Sequence, residues 1–430
     1  MTDHPTQALD VRQDRHLIRP GAHSKRFVVA TVTAPRATAV RRRPPVNLAF
    51  VLDRSGSMSG QKLAIAKQAI EEALIRLEAD DRFSIVVYDD VVDVVFPSTP
   101  ATPGARRAAS DRLRDIDARG STNLGEGWLR GCEQVAEHLG RDGVDRCLLL
   151  TDGLANVGIT DPDTLTGHAA ALRARGVTTT TFGVGNDFDE GLLQAIADAG
   201  GGHFYYIADA PQIRDAITSE VGEALEVTAR GVVIEVTARD DLRIEAITPH
   251  AVSGGGGRTS VALGDLVSGQ TVEVVLRLSF PYGELGREAG LIVALTDRDG
   301  LFAGSAMGAP EPARLSWTYA DDRANDAQPR DPAVDRAVAM VFAARARQEA
   351  VASNRGGDFE RASRVMAATA RRIRSYAGKD AELRELAGVL EAEQHVYAAP
   401  MQESMRKQAH FASANALRSR DAMGHSRREA

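Results

Sequence analysis

The chain has 430 residues, enough for two or three domains with sizeable buried cores, so a single small module is excluded. Hydrophobic residues make up 43% and charged residues 26%, proportions that exclude a largely disordered or fibrous chain. The net charge of -7, from 52 basic and 59 acidic residues, argues against a dedicated nucleic-acid binder, but it is unevenly spread. Residues 1–45 hold nine Lys or Arg against three Asp or Glu, and residues 331–430 hold seventeen against thirteen, leaving an acidic middle between basic ends.

The first thirty residues alternate charge and polarity without an apolar leader region, and no run reaches the length of a membrane span. A cytoplasmic protein without membrane insertion is expected. Arg26–Ala34 reads as a strand too short to fold alone, so residues 1–45 are expected to add strands to a β module elsewhere in the chain. Arg41–Arg43, before Pro44 and Pro45, reads as a solvated linker.

From Val46, short apolar runs rich in β-branched residues alternate with amphipathic stretches, the pattern of a parallel sheet flanked by helices. Strands are predicted at Val46–Leu52, Phe83–Tyr88, Cys147–Thr151, Val177–Val184 and Phe204–Ile207. Leu63, Ala66, Ile70, Ala73, Leu74 and Leu77 recur at helical spacing, and further helices are predicted at 105–116, 125–139, 163–175, 189–199 and 211–225. Val91–Phe96 follows Tyr88 too closely for a crossover and is expected to pair antiparallel as an edge strand. A doubly wound, Rossmann-like α/β domain is thus predicted over 46–225.

After Ala224 the period changes to two. Val232–Val236, Leu242–Ile247, Ser260–Leu263, Thr271–Phe280, Gly290–Leu295 and Arg314–Tyr319 are separated by turn signals and predict a β-sandwich over 226–325. Gly254–Gly257 lacks the lysine and helix of a phosphate loop and reads as a hairpin tip. From 330 to 430 the pattern is helical: an Ala-rich hairpin broken at Gly356-Gly357-Asp358, then a helix at 380–397 ended by Pro400. The last fifteen residues are expected to fray. Cys132 and Cys147 lie in apolar surroundings and read as inert buried thiols, not a secreted disulfide framework.

The chemistry concentrates where the first strand ends in Asp53-Arg54-Ser55-Gly56-Ser57-Met58-Ser59-Gly60. The carboxyl end of a strand in an open parallel sheet is where ligands bind, and Asp53, Ser55 and Ser57 offer three hard oxygen atoms in a five-residue loop. Gly120-Ser121-Thr122-Asn123 precedes a helix, and Leu148–Thr151 ends another buried strand at Asp152-Gly153. All three loops are expected at one sheet edge. Taken alone, Asp-x-Ser-x-Ser is also a helix-capping loop. Arg54 reads as a solvent-facing side chain, with contact to an acidic partner as the alternative, His203 as a packing residue, and Asp187, Asp189 and Glu190 as a helix start, with a second cation site as the alternative.

Together, Asp-x-Ser-x-Ser, the later Gly-Ser-Thr-Asn and Leu-Leu-Thr-Asp-Gly resemble the metal-ion-dependent adhesion site of the von Willebrand factor type A family. Supporting likenesses run through Tyr88-Asp89-Asp90, Thr181–Gly185 and Gly201–Phe204. The resemblance covers about 46–225. It implies that the hydroxyls of Ser55, Ser57 and Thr122 ligate a metal, and that Asp53 and Asp152 hold it through water or directly. It further implies that a partner protein completes the coordination with an Asp or Glu carboxylate, and that the last helix of the domain, Pro211–Leu225, shifts with occupancy. Bacterial relatives of this pattern work beside ATPases or in assembly systems, and the Arg- and Ala-rich, Lys-poor composition fits a GC-rich bacterial genome.

A site of hydroxyls and water-bridged carboxylates suits Mg²⁺, which takes six oxygen ligands and keeps several waters. Mn²⁺ and Ca²⁺ are admissible alternatives, whereas the absence of His and Cys from these loops speaks against zinc or copper. The expected function is a non-catalytic, metal-dependent protein-interaction module. The alternative is a Mg²⁺-dependent hydrolase or phosphoryl-transfer enzyme using the same site. Against it stand the lack of a phosphate loop and of a His or Lys within these loops as a base for Ser55 or Ser57.

Overall fold

Three strands open the chain: β1 (Leu9–Gln13), β2 (Leu17–Ile18) and β3 (Lys25–Thr33). The computed structural model describes residues 7–37, 43–140, 142–238, 242–255, 257–305 and 308–428. Arg41 and Arg42 of the arginine run, and Gly256 of the glycine run, lie outside the described residues. The chain folds as two units, Ala39–Val227 and the combination of Met1–Thr38 with Thr228–Ala430.

The first unit begins with β4 (Val46–Asp53), every residue of which is buried. Next come α1 (Gln61–Ile75), β5 (Arg82–Tyr88), β6 (Val92–Pro100), α2 (Pro103–Arg114), α3 (Leu124–Ala136) and β7 (Val144–Thr151). The unit closes with α4 (Pro162–Ala174), β8 (Thr178–Val184), α5 (Glu190–Gly200), β9 (Gly201–Ile207) and α6 (Pro211–Leu225). The sheet order is β6-β5-β4-β7-β8-β9. All pairings are parallel except β5 with β6, the antiparallel edge.

This topology fixes where a ligand belongs. From β4 the chain goes to β5 on one side and returns to β7 on the other, so the strand order reverses between β4 and β7. A crevice opens outside the carboxyl ends of strands at such a switch point. Helix α3 lies tightly over this point because it carries glycine where it crosses the sheet. A Cβ on Gly131 would sit 2.1 Å from Val51 Cγ2, and one on Gly127 would sit 2.5 Å from the Tyr88 ring.

The second unit continues with β10 (Val227–Ala238), β11 (Arg243–Ala246), β12 (Ala251–Gly255), β13 (Arg258–Val267), β14 (Thr271–Ser279), β15 (Glu288–Thr296) and β16 (Ala313–Tyr319). These strands and the first three form two sheets, β1-β3-β14-β11 and β12-β13-β10-β15-β16-β2. Strand β12, exposed throughout, pairs with β13 as the hairpin around the glycine run. Alternation on the pleat gives β3 and β14 two buried faces. Val28, Ala30 and Val32 of β3, with Val272, Val274 and Leu276 of β14, face the sandwich core. Val29 and Val275 point the other way, where they meet Val334, Val338 and Val341.

Those three valines belong to α8. The helices are α7 (Asp322–Ala327), α8 (Pro332–Arg355), α9 (Phe359–Ala377), α10 (Ala381–Tyr397) and α11 (Glu403–Leu417). The sequence gives α8, α9 and α10 clear starts, since Asp331, Asp358 and Asp380 each cap the following helix by accepting backbone N–H bonds. The sandwich and the helices therefore make up one unit, joined through the outer face of β3 and β14.

The expectation of a frayed C-terminus is wrong. Helix α11 is ordered, and beyond it the chain returns to the sandwich. Ser419 Oγ accepts the Glu273 N–H at 3.0 Å, the Arg427 carbonyl accepts the Thr271 N–H at 2.9 Å, and Gln270 bridges to Arg428. The physical reason is that β14 leaves backbone donors near its start, and the tail satisfies them. No helix among the described residues is long and apolar enough to cross a membrane.

Candidate metal centre

The three loops predicted to share an edge do so at the reversal between β4 and β7. Asp53, the last residue of β4, is fully buried, as is Asp152, which directly follows β7. Asp53 Oδ1 accepts the Ser55 N–H at 2.8 Å, and Asp53 Oδ2 accepts the Thr151 hydroxyl at 2.7 Å. Ser57 Oγ donates to Asp152 Oδ1 at 2.6 Å and lies 3.1 Å from Ser55 Oγ. Four of the five predicted residues are thus linked through one chain of contacts, in which Thr151 and Asp53 support the loop that carries the serines.

Thr122 arrives from the loop before α3. Its N–H is held by Asn156 Oδ1 at 3.2 Å, and the Thr122 carbonyl in turn accepts the Asn156 N–H at 3.4 Å. Its hydroxyl faces the same space: a Cβ built on Gly153 would lie 3.2 Å from Thr122 Oγ1 and 3.9 Å from Ser57 Oγ. A residue larger than glycine after Asp152 would crowd both hydroxyls. Among the described residues Thr122 Oγ1 makes no hydrogen bond to the other four, so its hydroxyl is free to turn toward a ligand.

Asp89 and Asp90, in the β5–β6 turn, clamp these loops from the side. The Asn123 N–H donates to the Asp89 carbonyl at 2.8 Å, and the Ser121 N–H donates to Asp90 Oδ1 at 3.2 Å. The loop passes so close that a Cβ on Gly120, whose φ is +69°, would overlap Asp90 Oδ1 at 1.9 Å. Arg54 is not solvent-facing as expected. It is 5% exposed, with Nε 2.8 Å from Asp89 Oδ2 and Nη2 paired with Asp93. Its neighbours in sequence do not reveal those carboxylates, which only the β5–β6 hairpin brings to it. Arg119 also donates to Asp89 Oδ2, at 2.7 Å. Burial raises the Asp89 carboxyl, but the bonds from Arg119, the Val91 N–H and Arg54 outweigh it and hold the group below the usual carboxylate range.

The residue that sequence reading missed is Lys62. It stands on the first turn of α1, outside the Asp-x-Ser-x-Ser loop, yet its Nζ reaches Asp152 Oδ2 at 2.5 Å. Helical geometry was the available signal: residues just past a binding loop that opens a helix project back over it.

Among the described residues Asp53 has no such cation. Burial pushes its carboxyl up to about 6, Asp152 adding to the rise while hydrogen bonds from Thr151 and Ser55 oppose it. A carboxylate buried with neutral partners lacks a counter-charge. The donor set of two carboxylates and three hydroxyls, with no sulfur or imidazole, fits a hard divalent cation such as magnesium.

A second cluster lies away from these loops. His203, Glu220 and Glu223 bring ligand-type atoms within 4.8 Å of one another. Glu220, fully buried on α6, accepts from Arg146 Nη1 at 2.5 Å, Thr180 Oγ1 at 2.8 Å and Tyr205 OH at 2.9 Å, and lies 3.1 Å from His203 Nδ1. Arg146 already neutralises Glu220, which makes Glu220 the centre of a buried ion network. His203 packs edge-on against Tyr205, as a packing residue would, but also takes part in this network. Asp189 caps α5 through the N–H groups of Gly191 and Leu192. Cys132 and Cys147 are unpaired and buried, and burial pushes the Cys147 thiol well up.

Residues 47–219 match the family model of the von Willebrand factor type A domain. The α/β unit is a von Willebrand factor type A domain. Over 195 residues the chain is 35% identical to the protein YfbK of Escherichia coli (strain K12), covering 45% of this chain and 34% of YfbK. It is 29% identical over 272 residues to the protein sll0103 of Synechocystis, covering 60% of this chain and 63% of that protein. The chain thus spans less than two thirds of either relative. A solved structure described as von Willebrand factor type A from Catenulispora acidiphila superposes over 96% of this chain and 98% of its own, with a TM-score of 0.73 and 18% identity. That likeness shows that the fold recurs beyond the type A domain, through the sandwich and helices.

Proposed function

We propose that Asp53, Ser55, Ser57, Thr122 and Asp152 hold a divalent cation, Mg²⁺ in the cell, and that the protein is a non-catalytic scaffold or adaptor. In this reading the cation is open to one further ligand, a carboxylate from an Asp or Glu of a protein partner. The observation that carries it is the pair of fully buried carboxylates at the strand-order reversal, one of which, Asp53, has only neutral hydrogen-bond partners among the described residues. Ser55 is buried behind the loop while Ser57 is exposed, so the hydroxyl side of the site faces solvent, from which a partner approaches. Von Willebrand factor type A domains are in general metal-dependent protein-interaction modules. A cytoplasmic location and a partner from an ATPase or assembly system belong to the same proposal.

The test is direct titration of Mg²⁺ and Mn²⁺ by calorimetry, with capture of carboxylate-bearing partners in the presence and absence of EDTA. Asp53→Ala and Asp152→Ala should each abolish cation binding with the fold retained by circular dichroism. Phosphoester turnover that disappears with the same substitutions would favour a hydrolase instead.

A further inference from the structure

Both oxygens of Asp152 are engaged, but by groups of different kinds. Oδ1 accepts from Ser57, one of the proposed ligands, whereas Oδ2 faces the Lys62 ammonium at 2.5 Å. The ammonium also lies 3.5 Å from the Ser57 carbonyl. It therefore sits against the loop itself, on the second oxygen of the carboxylate that an incoming cation would share. The two partners differ in what they can do next. Asp152 has no exposed surface, while the Lys62 side chain is 31% exposed. A buried carboxylate cannot recover its lost hydration by moving, but a lysine on a flexible four-carbon stem can swing its charge into water. Gly185, at φ +76°, faces this position without a side chain, a Cβ there being 3.7 Å from Lys62 Nζ, so the ammonium is not walled in.

We propose that Lys62 is a tethered cation that holds Asp152 when the divalent ion is away, so that loading the site is an exchange of one cation for another. This rests on the metal-site reading above and goes beyond it by assigning a positioning residue outside the ligand set. The exchange has two consequences. The buried carboxylate always keeps a counter-ion, which protects the metal-free fold, and affinity for the divalent ion is lowered by the work of displacing the ammonium. The lysine thereby sets the concentration at which the site fills.

The test uses the full chain and Mn²⁺ alone, with free Mn²⁺ read by electron paramagnetic resonance. Lys62→Met and Lys62→Gln should each bind roughly tenfold tighter or more, because a unit charge at contact distance from a shared carboxylate is removed. Lys62→Arg keeps the charge and should bind no tighter than wild type. Lys379→Met, an equal charge change on an exposed residue of the other unit, should leave affinity unchanged. In EDTA, Lys62→Met and Lys62→Gln should melt below wild type, and Mn²⁺ should raise their melting temperatures more than it raises that of wild type. Wild-type or weaker Mn²⁺ affinity in both neutral variants would overturn the exchange, as would equal tightening by Lys62→Arg or Lys379→Met. Binding seen only in the neutral variants would support it. If neither wild type nor any variant binds Mn²⁺, the metal-site reading fails and takes the exchange with it.

Discussion

Arg54 Nε donates to Asp89 Oδ2 at 2.8 Å, with the arginine side chain 7% and the aspartate 1% exposed. The bond ties the middle of the Asp53–Ser57 loop to the β5–β6 turn, whose Asp89 carbonyl also holds the Asn123 N–H next to Thr122. One ion pair thus links two of the three loops. Removing one partner of a buried pair leaves the other charged and unsolvated. Arg54→Ala should therefore destabilise the α/β domain by about 3 kcal/mol, the low end for a buried pair because Arg119 remains on Asp89. Thermal unfolding checks the stability loss. A calorimetric Mg²⁺ titration should show weaker binding than wild type; wild-type affinity would mean that Arg54 plays no part in placing the loops.

Close approach of α3 to the sheet gives a second expectation. A Cβ on Gly131 would lie 2.1 Å from Val51 Cγ2, a distance no side chain adopts without backbone movement. Gly131→Ala should cost roughly 1–3 kcal/mol by overpacking, despite the better helix propensity of alanine. The Val51→Ala change in the same chain should recover part of the loss if crowding is the cause. Additive melting-temperature losses in the double variant would locate the cost elsewhere.

These particulars show what a sequence can and cannot reveal. Strands β4 and β7 are continuous apolar runs ending in Asp53 and in Thr151-Asp152, so their burial, their common edge and the oxygen-rich loops beyond them are local information. The alternation of Val28, Val29 and Ala30 likewise announces a two-faced strand, though not that a helix covers its second face. Arg54 and Lys62 escape such reading because their partners, Asp89 and Asp152, lie 35 and 90 residues away. Helix α11 escapes it for a different reason. Its buried positions include Lys407, Ser413 and Asn415, polar residues that hide the apolar stripe by which a packed helix is recognised.

Glu220 offers a test of the network that fastens α6 to the sheet. It is fully buried and bonded to Arg146 on β7, Thr180 on β8 and Tyr205 on β9. Glu220→Ala strands the buried Arg146 guanidinium and should cost about 3–5 kcal/mol, whereas Arg146→Met with Glu220→Met should cost clearly less, since a matched apolar pair leaves no charge behind. Denaturant unfolding of the two variants decides the matter. A double variant as unstable as the single one would show that Thr180 and Tyr205, not the ion pair, dominate the network.

The pH dependence of the metal-free protein follows from Asp53. Its carboxyl is raised by burial from the ordinary 3.8 to about 6, so the folded chain binds this proton more tightly than the unfolded chain does. The associated stability is fully present below about pH 4 and is lost as pH rises to about 6, a swing of about 3 kcal/mol for a two-unit difference. Asp53→Asn removes the titration while keeping the shape of the side chain. In EDTA, wild type should therefore lose stability relative to Asp53→Asn as pH climbs through this window, with a flat difference on either side. Saturating Mg²⁺ should reverse the trend for wild type alone, because a bound cation favours the ionised carboxylate. Parallel denaturation curves for the two proteins across the window, with or without Mg²⁺, would contradict an uncompensated carboxylate at the end of β4.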